Sequence, residues 1–139
     1  MSDLSVFYAQ NVSGLTEELV VSERFKDKDG KPVPWKLRSM TEEENESIRK
    51  SATKRVQGKR GVATQETDPT EYMVKLAVAS VVFPNLKDAE LQKSYGVMGA
   101  ENLLRKMLLA GEYAALIEKI QELNAFDKNM NELVEEAKN

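Results

Sequence analysis

The chain has 139 residues, of which 41% are hydrophobic and 31% are charged, and its formal net charge is −3. These proportions are typical of a globular domain of ordinary size, and the small net charge gives no global attraction to nucleic acid or to an anionic membrane. Cysteine and histidine are both absent. Their absence excludes disulfides, thiolate metal sites and the commonest general base, so the composition argues against an enzyme and indicates no cofactor.

The hydropathy of the chain does not indicate a membrane protein. The longest apolar stretch, residues 72–83, is well short of the roughly 20 residues that a spanning helix needs. The first residues contain neither the basic segment nor the apolar run of a signal peptide. We therefore expect the protein to act in the cytoplasm. Residues 1–17 are weakly patterned and are predicted to form a partly mobile arm.

Residues 18–40 are predicted to form a β-hairpin. Its first strand is expected from residue 18 to Phe25, and its second from residue 33 to Met40. The second strand alternates apolar and polar residues, as a half-buried strand does, with Val33, Trp35 and Leu37 on one face. Asp29-Gly30 lies between the strands and favours a tight turn, because both residues tolerate positive φ angles.

Residues 41–139 are predicted to form a helical body. Thr41 and Glu44 have the spacing of a capping box, and the helix that they open carries a thin apolar stripe ending at Val56. Residues 57–67 contain two glycines and no apolar periodicity, which predicts an exposed loop. A central core helix is then expected, capped by Asp68 and reaching Phe83, because its sequence is apolar almost all round.

Four shorter amphipathic segments follow the predicted core helix. Three of them cover residues 88–94, 100–109 and 112–125, and Asp127 is predicted to cap the last one. The predicted fold is therefore α+β and mainly α. It consists of an N-terminal β-hairpin and a bundle of four to six short helices, all in one domain.

A cluster of basic residues occupies residues 49–60, with no acidic residue between Ser47 and Gln65. Its members are Arg49, Lys50, Lys54, Arg55, Lys59 and Arg60. Such a cluster can contact phosphates, which leaves a small nucleic-acid-binding regulator as one alternative. The other interpretation is a solvated helix end followed by a flexible loop. No aromatic side chain interleaves the cluster, so base stacking is not indicated there.

One stretch of the chain resembles a known family. Residues 21–38 read VSERFKDKDGKPVPWKLR and are followed by the acidic helix start at Thr41. They are similar to the hairpin of the XkdN-like phage tail assembly chaperones, and residues 108–113 resemble the helical half of that family. The resemblance implies a non-catalytic protein that binds the tape measure protein, and other tail proteins, during tail assembly. It also implies that the protein keeps the tape measure protein soluble and is absent from the mature virion.

The resemblance defines no catalytic residues for this chain. We expect the partner surface on the apolar stripes of the last two helices, where adaptable apolar side chains can cover a helix of another protein. The predicted surface consists of Tyr113, Leu116, Ile120, Met130, Leu133 and Val134. A structural tail or head-completion protein that stays in the particle is a further alternative. The sequence leaves the oligomeric state open.

Overall fold

A small antiparallel sheet forms one side of the hydrophobic core. The computed structural model describes residues 3–124. The strands of this sheet are β1 (Thr16–Leu19), β2 (Trp35–Arg38) and β5 (Val81–Phe83), with β2 in the centre. Two further strands, β3 (Thr53–Gln57) and β4 (Ala63–Thr67), pair only with each other within the described part of the chain.

Residues 3–124 also contain five α-helices. They are α1 (Glu42–Ser51), α2 (Pro69–Ser80), α3 (Ala89–Ser94), α4 (Ala100–Met107) and α5 (Ala110–Leu123). Helix α2 contacts α1, α4 and α5, and α2 and α5 contact the three-stranded sheet. The predicted α+β architecture is therefore confirmed. The predicted helix capped by Asp127 lies outside the described residues.

The alternation predicted for the second strand is confirmed in β2, which is shorter than the predicted residues 33–40 and does not include Val33. Trp35 is 2% exposed and Leu37 is fully buried, whereas Lys36 between them faces solvent. The first strand of the hairpin is shorter than predicted and begins at Thr16, inside the predicted arm. It ends at Leu19, which lies opposite Trp35 and is the last residue of β1 that pairs with β2.

The turn predicted at Asp29-Gly30 is confirmed. Gly30 has a φ angle of 79°, and its N–H donates to the carbonyl of Asp27 at 3.0 Å. The Asp27 carboxylate accepts hydrogen bonds from the N–H groups of Asp29 and Lys31 at 2.8 and 3.0 Å. The side chain thus replaces backbone partners within the turn, which is a common role of aspartate.

The start of α1 was predicted correctly and its end was not. The Thr41 hydroxyl accepts from the Glu44 N–H at 3.2 Å, and the Glu44 carboxylate accepts from the Thr41 N–H at 3.2 Å. This reciprocal pair is a capping box. The helix ends at Ser51, so Val56 lies in β3 and not on the apolar stripe of α1.

The prediction of a loop for residues 57–67 is wrong: these residues are the end of β3, a turn and β4, which form a second hairpin. We call β3, β4 and the turn that joins them (residues 53–67) the basic ribbon. Gly58 is required in the turn, because a Cβ at this position would lie 2.7 Å from the carbonyl oxygen of Val62. The described side chains are exposed or partly exposed on both faces. The ribbon therefore lacks the apolar alternation by which strands are recognised in a sequence.

Helix α2 begins where the sequence predicted and ends earlier. The Asp68 carboxylate accepts from the N–H groups of Thr70 and Glu71 at 2.9 and 3.2 Å. The helix ends at Ser80, and residues 81–83, predicted to be its last turn, form β5 instead. Their β-branched and aromatic side chains suit a strand, and β2 offers a free edge to pair with.

Loss of the Asp68 cap should destabilise the protein measurably. We expect D68A to lower the free energy of unfolding by about 1 kcal/mol, the usual cost of removing an N-cap side chain, because two N–H groups of α2 lose their acceptor. D68N should retain most of the stability, since asparagine caps almost as well. Urea unfolding followed by far-UV circular dichroism measures the difference. Equal stabilities of D68A and the wild type would contradict this role.

The core joins the sheet to α2, α4 and α5. Its fully buried or nearly fully buried apolar side chains include Trp35, Leu37, Val74, Leu76, Ala77, Leu103, Leu104, Leu116 and Ile120. Helices α4 and α5 each bury one stripe of side chains, at the spacing predicted from the sequence. The opposite faces of these helices remain available to solvent or to a partner.

Candidate protein-binding groove

Helix α5 contributes to the core and to the surface through two neighbouring stripes. Leu116 and Ile120 are fully buried, and Leu123 is buried beside them. Two of the residues predicted for the partner surface therefore lie in the core of this protein, where a partner cannot contact them while the fold is intact. Their apolar stripe covers α2 and β2 of the same chain. The expectation is wrong for these two positions.

Of the other predicted partner residues, one lies at the surface of α5 and three lie outside the described residues. Tyr113 is half-buried and lies at the surface of α5. Partial burial raises the pKa of its hydroxyl above the ordinary value, so the side chain stays protonated and neutral. Met130, Leu133 and Val134 lie outside the described residues.

An open groove lies between the first turns of α2 and the surface stripe of α5. Its volume is about 480 Å³. We call it the α2–α5 groove, and its lining residues are Pro69, Thr70, Met73, Tyr113, Ala114, Ile117, Glu118 and Gln121. Successive α5 members lie one or three positions apart, so they form a continuous stripe next to the buried one. Apolar side chains dominate the groove, and two polar residues of α5 complete it.

A smaller apolar groove lies on another side of the molecule. It has a volume of about 180 Å³ and is bordered by residues of the first hairpin, β5, α3 and the end of α4. The rings of Phe25 and Trp35 lie 6.1 Å apart in this region, and Phe83 is half exposed beside them. Its size suits a single side chain, whereas the α2–α5 groove has room for several.

A network of charged hydrogen bonds connects the first hairpin to α5. The Arg24 guanidinium donates to both carboxylate oxygens of Glu112, at 2.5 and 3.2 Å, and also to the carbonyl of Met107 at 2.9 Å. The carboxylate of Glu112 also accepts a hydrogen bond from the N–H of Leu109 at 2.8 Å, which gives a backbone donor at the start of α5 its acceptor. The hydrogen bonds from Arg24, followed by those from Ser22 and Leu109, lower the pKa of Glu112 from 4.5 to about 2.

The stability contributed by Glu112 should depend on pH. Because the pKa of Glu112 is depressed in the folded state, its contribution is present above about pH 4.5 and is lost as the pH falls towards 2. We expect E112Q to have a lower Tm than the wild type at pH 6, and the difference should shrink as the pH is lowered to 2. Thermal unfolding across this range checks the result. A Tm difference independent of pH would contradict the role of the carboxylate charge.

The basic cluster is not a single continuous patch of unpaired charge. Arg49 forms ion pairs with Glu42 and Glu46, and the Nζ of Lys54 lies 3.5 Å from the carboxylate of Glu71. Lys50, Arg55 and Arg60 form no recorded ion pair with another described residue, and the side chain of Lys59 is not among those described. The internal pairs reduce the positive field that phosphate binding needs.

The described residues offer neither a metal site nor a membrane span. Among residues 3–124, no three acidic side chains are grouped closely enough to hold a metal ion. No helix in the same part of the chain has the length and apolar character to cross a bilayer.

Comparison with known proteins identifies the family. The sequence model of the family of phage XkdN-like tail assembly chaperone proteins matches residues 4–138, so the chain belongs to this family. It is similar to the protein YqbN of Bacillus subtilis (strain 168), with 34% identity over 99% of this chain and 93% of YqbN. It is also 29% identical to the phage-like element PBSX protein XkdN of the same organism, over 99% of this chain and 94% of XkdN.

A solved structure supports the same relationship. The crystal structure of the protein YqbN resembles the present fold with a TM-score of 0.76 and 27% sequence identity. The match covers 90% of this chain and 98% of the crystallised one. The resemblance to tail assembly chaperones expected from the first hairpin is therefore confirmed.

Proposed function

We propose that this protein binds the tape measure protein of its phage or prophage through the α2–α5 groove and keeps that protein soluble while the tail assembles. It acts without catalysis. The observation that carries this proposal is an open apolar groove, built by two packed helices, in a member of a tail assembly chaperone family.

The groove suits one apolar stripe of a helical partner. Helix-in-groove recognition uses side chains at helical spacing on the partner and a preformed apolar surface on the receptor. Met73 and Ile117 lie on the opposing walls of the α2–α5 groove. Methionine adapts to partners of different shape, which suits a chaperone that covers several segments of one long protein. The polar side chains of Glu118 and Gln121 lie beside this apolar surface and remain in contact with water.

The N-terminal residues provide a second set of exposed apolar side chains. Leu4, Val6, Phe7, Val12 and Leu15 are each more than half exposed. Exposed apolar groups in this number indicate a surface that a partner covers. We propose the groove as the primary site, because it is preorganised between packed helices, and the N-terminal residues as an additional contact.

The proposed place of action is the cytoplasm of the bacterial host, and the mature virion is proposed to lack the protein. Under this proposal, the protein leaves the assembly when the tail tube covers the tape measure protein. Mass spectrometry of purified particles distinguishes it from a structural tail or head-completion protein. Stoichiometric amounts in the particle would support the structural alternative.

Co-expression tests the proposed function. The tape measure protein of the same phage or prophage is produced with and without this chain, and its soluble fraction is measured. We expect this chain to raise the soluble fraction severalfold and to co-purify with the tape measure protein. Equal insolubility in both cases, with no co-purification, would exclude the proposed role.

A further inference from the structure

We propose that the basic ribbon of one copy pairs edge to edge with β1 of a second copy, so that a basic strand and an acidic strand form an intermolecular sheet. The contact involves the outer edge of β3 and the outer edge of β1. The proposal concerns self-association and does not depend on whether the chain binds the tape measure protein.

Strand β1 presents an acidic edge. It is the outermost strand of its sheet and, within the described chain, pairs only with β2. Glu17 and Glu18 are exposed on it. An exposed edge strand has unpaired backbone N–H and C=O groups, so it is a template for another strand.

The basic ribbon presents an edge of opposite charge. Within residues 3–124, β3 pairs only with β4, and Lys54 and Arg55 are exposed on it. A two-stranded hairpin without an apolar face is marginally stable by itself. Addition of a third strand supplies backbone hydrogen bonds and cross-strand pairs that the ribbon lacks.

The charges select one combination of edges. Pairing of β1 with β1 would bring glutamates together, and pairing of β3 with β3 would bring lysine and arginine together. Of the three combinations of these two edges, only the mixed pair brings opposite charges face to face. An antiparallel register that places Glu17 opposite Arg55 also places Glu18 opposite Lys54, and a parallel register exchanges the two partners. Antiparallel and parallel pairing of the two strands therefore each give two cross-strand pairs of opposite charge.

Internal ion pairs keep this association weak and sensitive to salt. The carboxylate of Glu17 lies 2.8 Å from the Nζ of Lys119, and the Nζ of Lys54 lies 3.5 Å from the carboxylate of Glu71. The intermolecular pairs compete with these contacts and are exposed to screening by ions. We expect association at high protein concentration and low ionic strength.

The two edges belong to different sheets of the chain, so the contact joins unlike surfaces of successive copies. A heterologous contact of this kind leaves one free edge at each end and can propagate. Copies would then be arranged in series, a geometry that suits a long partner.

Sedimentation velocity with charge-reversal variants tests the proposal. The whole 139-residue chain is compared at about 10 μM and about 500 μM, in about 20 mM and about 500 mM salt. The variants are K54E/R55E on the ribbon and E17K/E18K on β1. The variant K87E/K93E, at two exposed lysines far along the chain from either edge, carries the same net charge as K54E/R55E and is the matched control.

The expected result is association of the wild type at high concentration and low salt, and its loss at high salt. Each edge variant alone should associate at least tenfold more weakly, and an equimolar mixture of the two edge variants should associate again. The control should behave much more like the wild type than K54E/R55E does. If an edge variant unfolds in circular dichroism, E18Q and R55Q replace the reversals, since neither residue forms a recorded ion pair within the described chain.

Any one of four results would overturn the proposal. The wild type could remain a monomer at every concentration and salt. The mixture could fail to restore association, or K87E/K93E could lose it as completely as K54E/R55E, which would indicate general charge repulsion. Salt-sensitive binding of a labelled DNA duplex by the wild type, lost in R55Q and without any self-association, would assign the ribbon to nucleic acid instead.

Discussion

Leu116→Ala and Ile120→Ala should each lower the free energy of unfolding by about 2–5 kcal/mol, the usual cost of truncating a large buried side chain. Both side chains are fully buried where α5 packs on the core. Truncation removes apolar contacts and leaves a cavity that the surrounding helices fill only in part. Urea unfolding followed by circular dichroism measures the change.

Ile117→Ala is the matched comparison for these core substitutions. Ile117 lies next to Leu116 on the same helix, but it is only half-buried and lines the α2–α5 groove. Its truncation should cost less than that of either core residue. If Ile117→Ala were as destabilising as Leu116→Ala, the division of α5 into a core stripe and a surface stripe would be incorrect.

A negative charge in the α2–α5 groove should weaken binding of the tape measure protein at least tenfold, which corresponds to about 1.4 kcal/mol. We expect this result for A114E, because the groove would have to cover a carboxylate without a partner when an apolar helix binds. Pull-down titration of the tape measure protein against immobilised variants measures the affinity.

A115E provides the control for A114E. Ala115 is also exposed on α5 but does not line the groove. The two variants have the same composition and net charge and replace neighbouring residues of one helix. A115E should bind as the wild type does, and the two variants should have similar Tm values. Equal loss of binding in both variants would place the contact elsewhere.

Several helix starts could be predicted from the sequence because they depend on local contacts. Thr41, Asp68 and Asp88 each accept a hydrogen bond from an N–H group two or three residues further along the chain. The turn at Gly30 is likewise closed by Asp27, three residues before it. Such features lie within a few residues and leave a recognisable pattern.

The strands that the sequence did not predict depend on distant partners. Val81 to Phe83 form β5 only because β2, more than forty residues earlier, pairs with them. The basic ribbon lacks an apolar face and is closed by polar contacts such as that between the hydroxyls of Thr53 and Thr67, 2.7 Å apart. Neither feature produces an apolar pattern with a period of two.

The predicted partner residues on α5 fall on two different stripes of that helix, one buried in the core and one at the surface. A periodic pattern shows that α5 has apolar residues at helical spacing, yet Tyr113, Leu116 and Ile117 all fit it. Only packing shows that Leu116 faces the core and Ile117 the groove. The opposing wall comes from Met73 on α2, forty residues earlier, which no local pattern connects to α5.

Site-specific photo-cross-linking tests the central claim most directly. A photo-reactive amino acid is placed at position 114, within the α2–α5 groove, or at position 115 beside it, and each protein is produced with the tape measure protein. The proposed function predicts a cross-link to the tape measure protein from position 114 and much less from position 115. No cross-link from position 114, or equal cross-linking from both positions, would contradict binding in this groove.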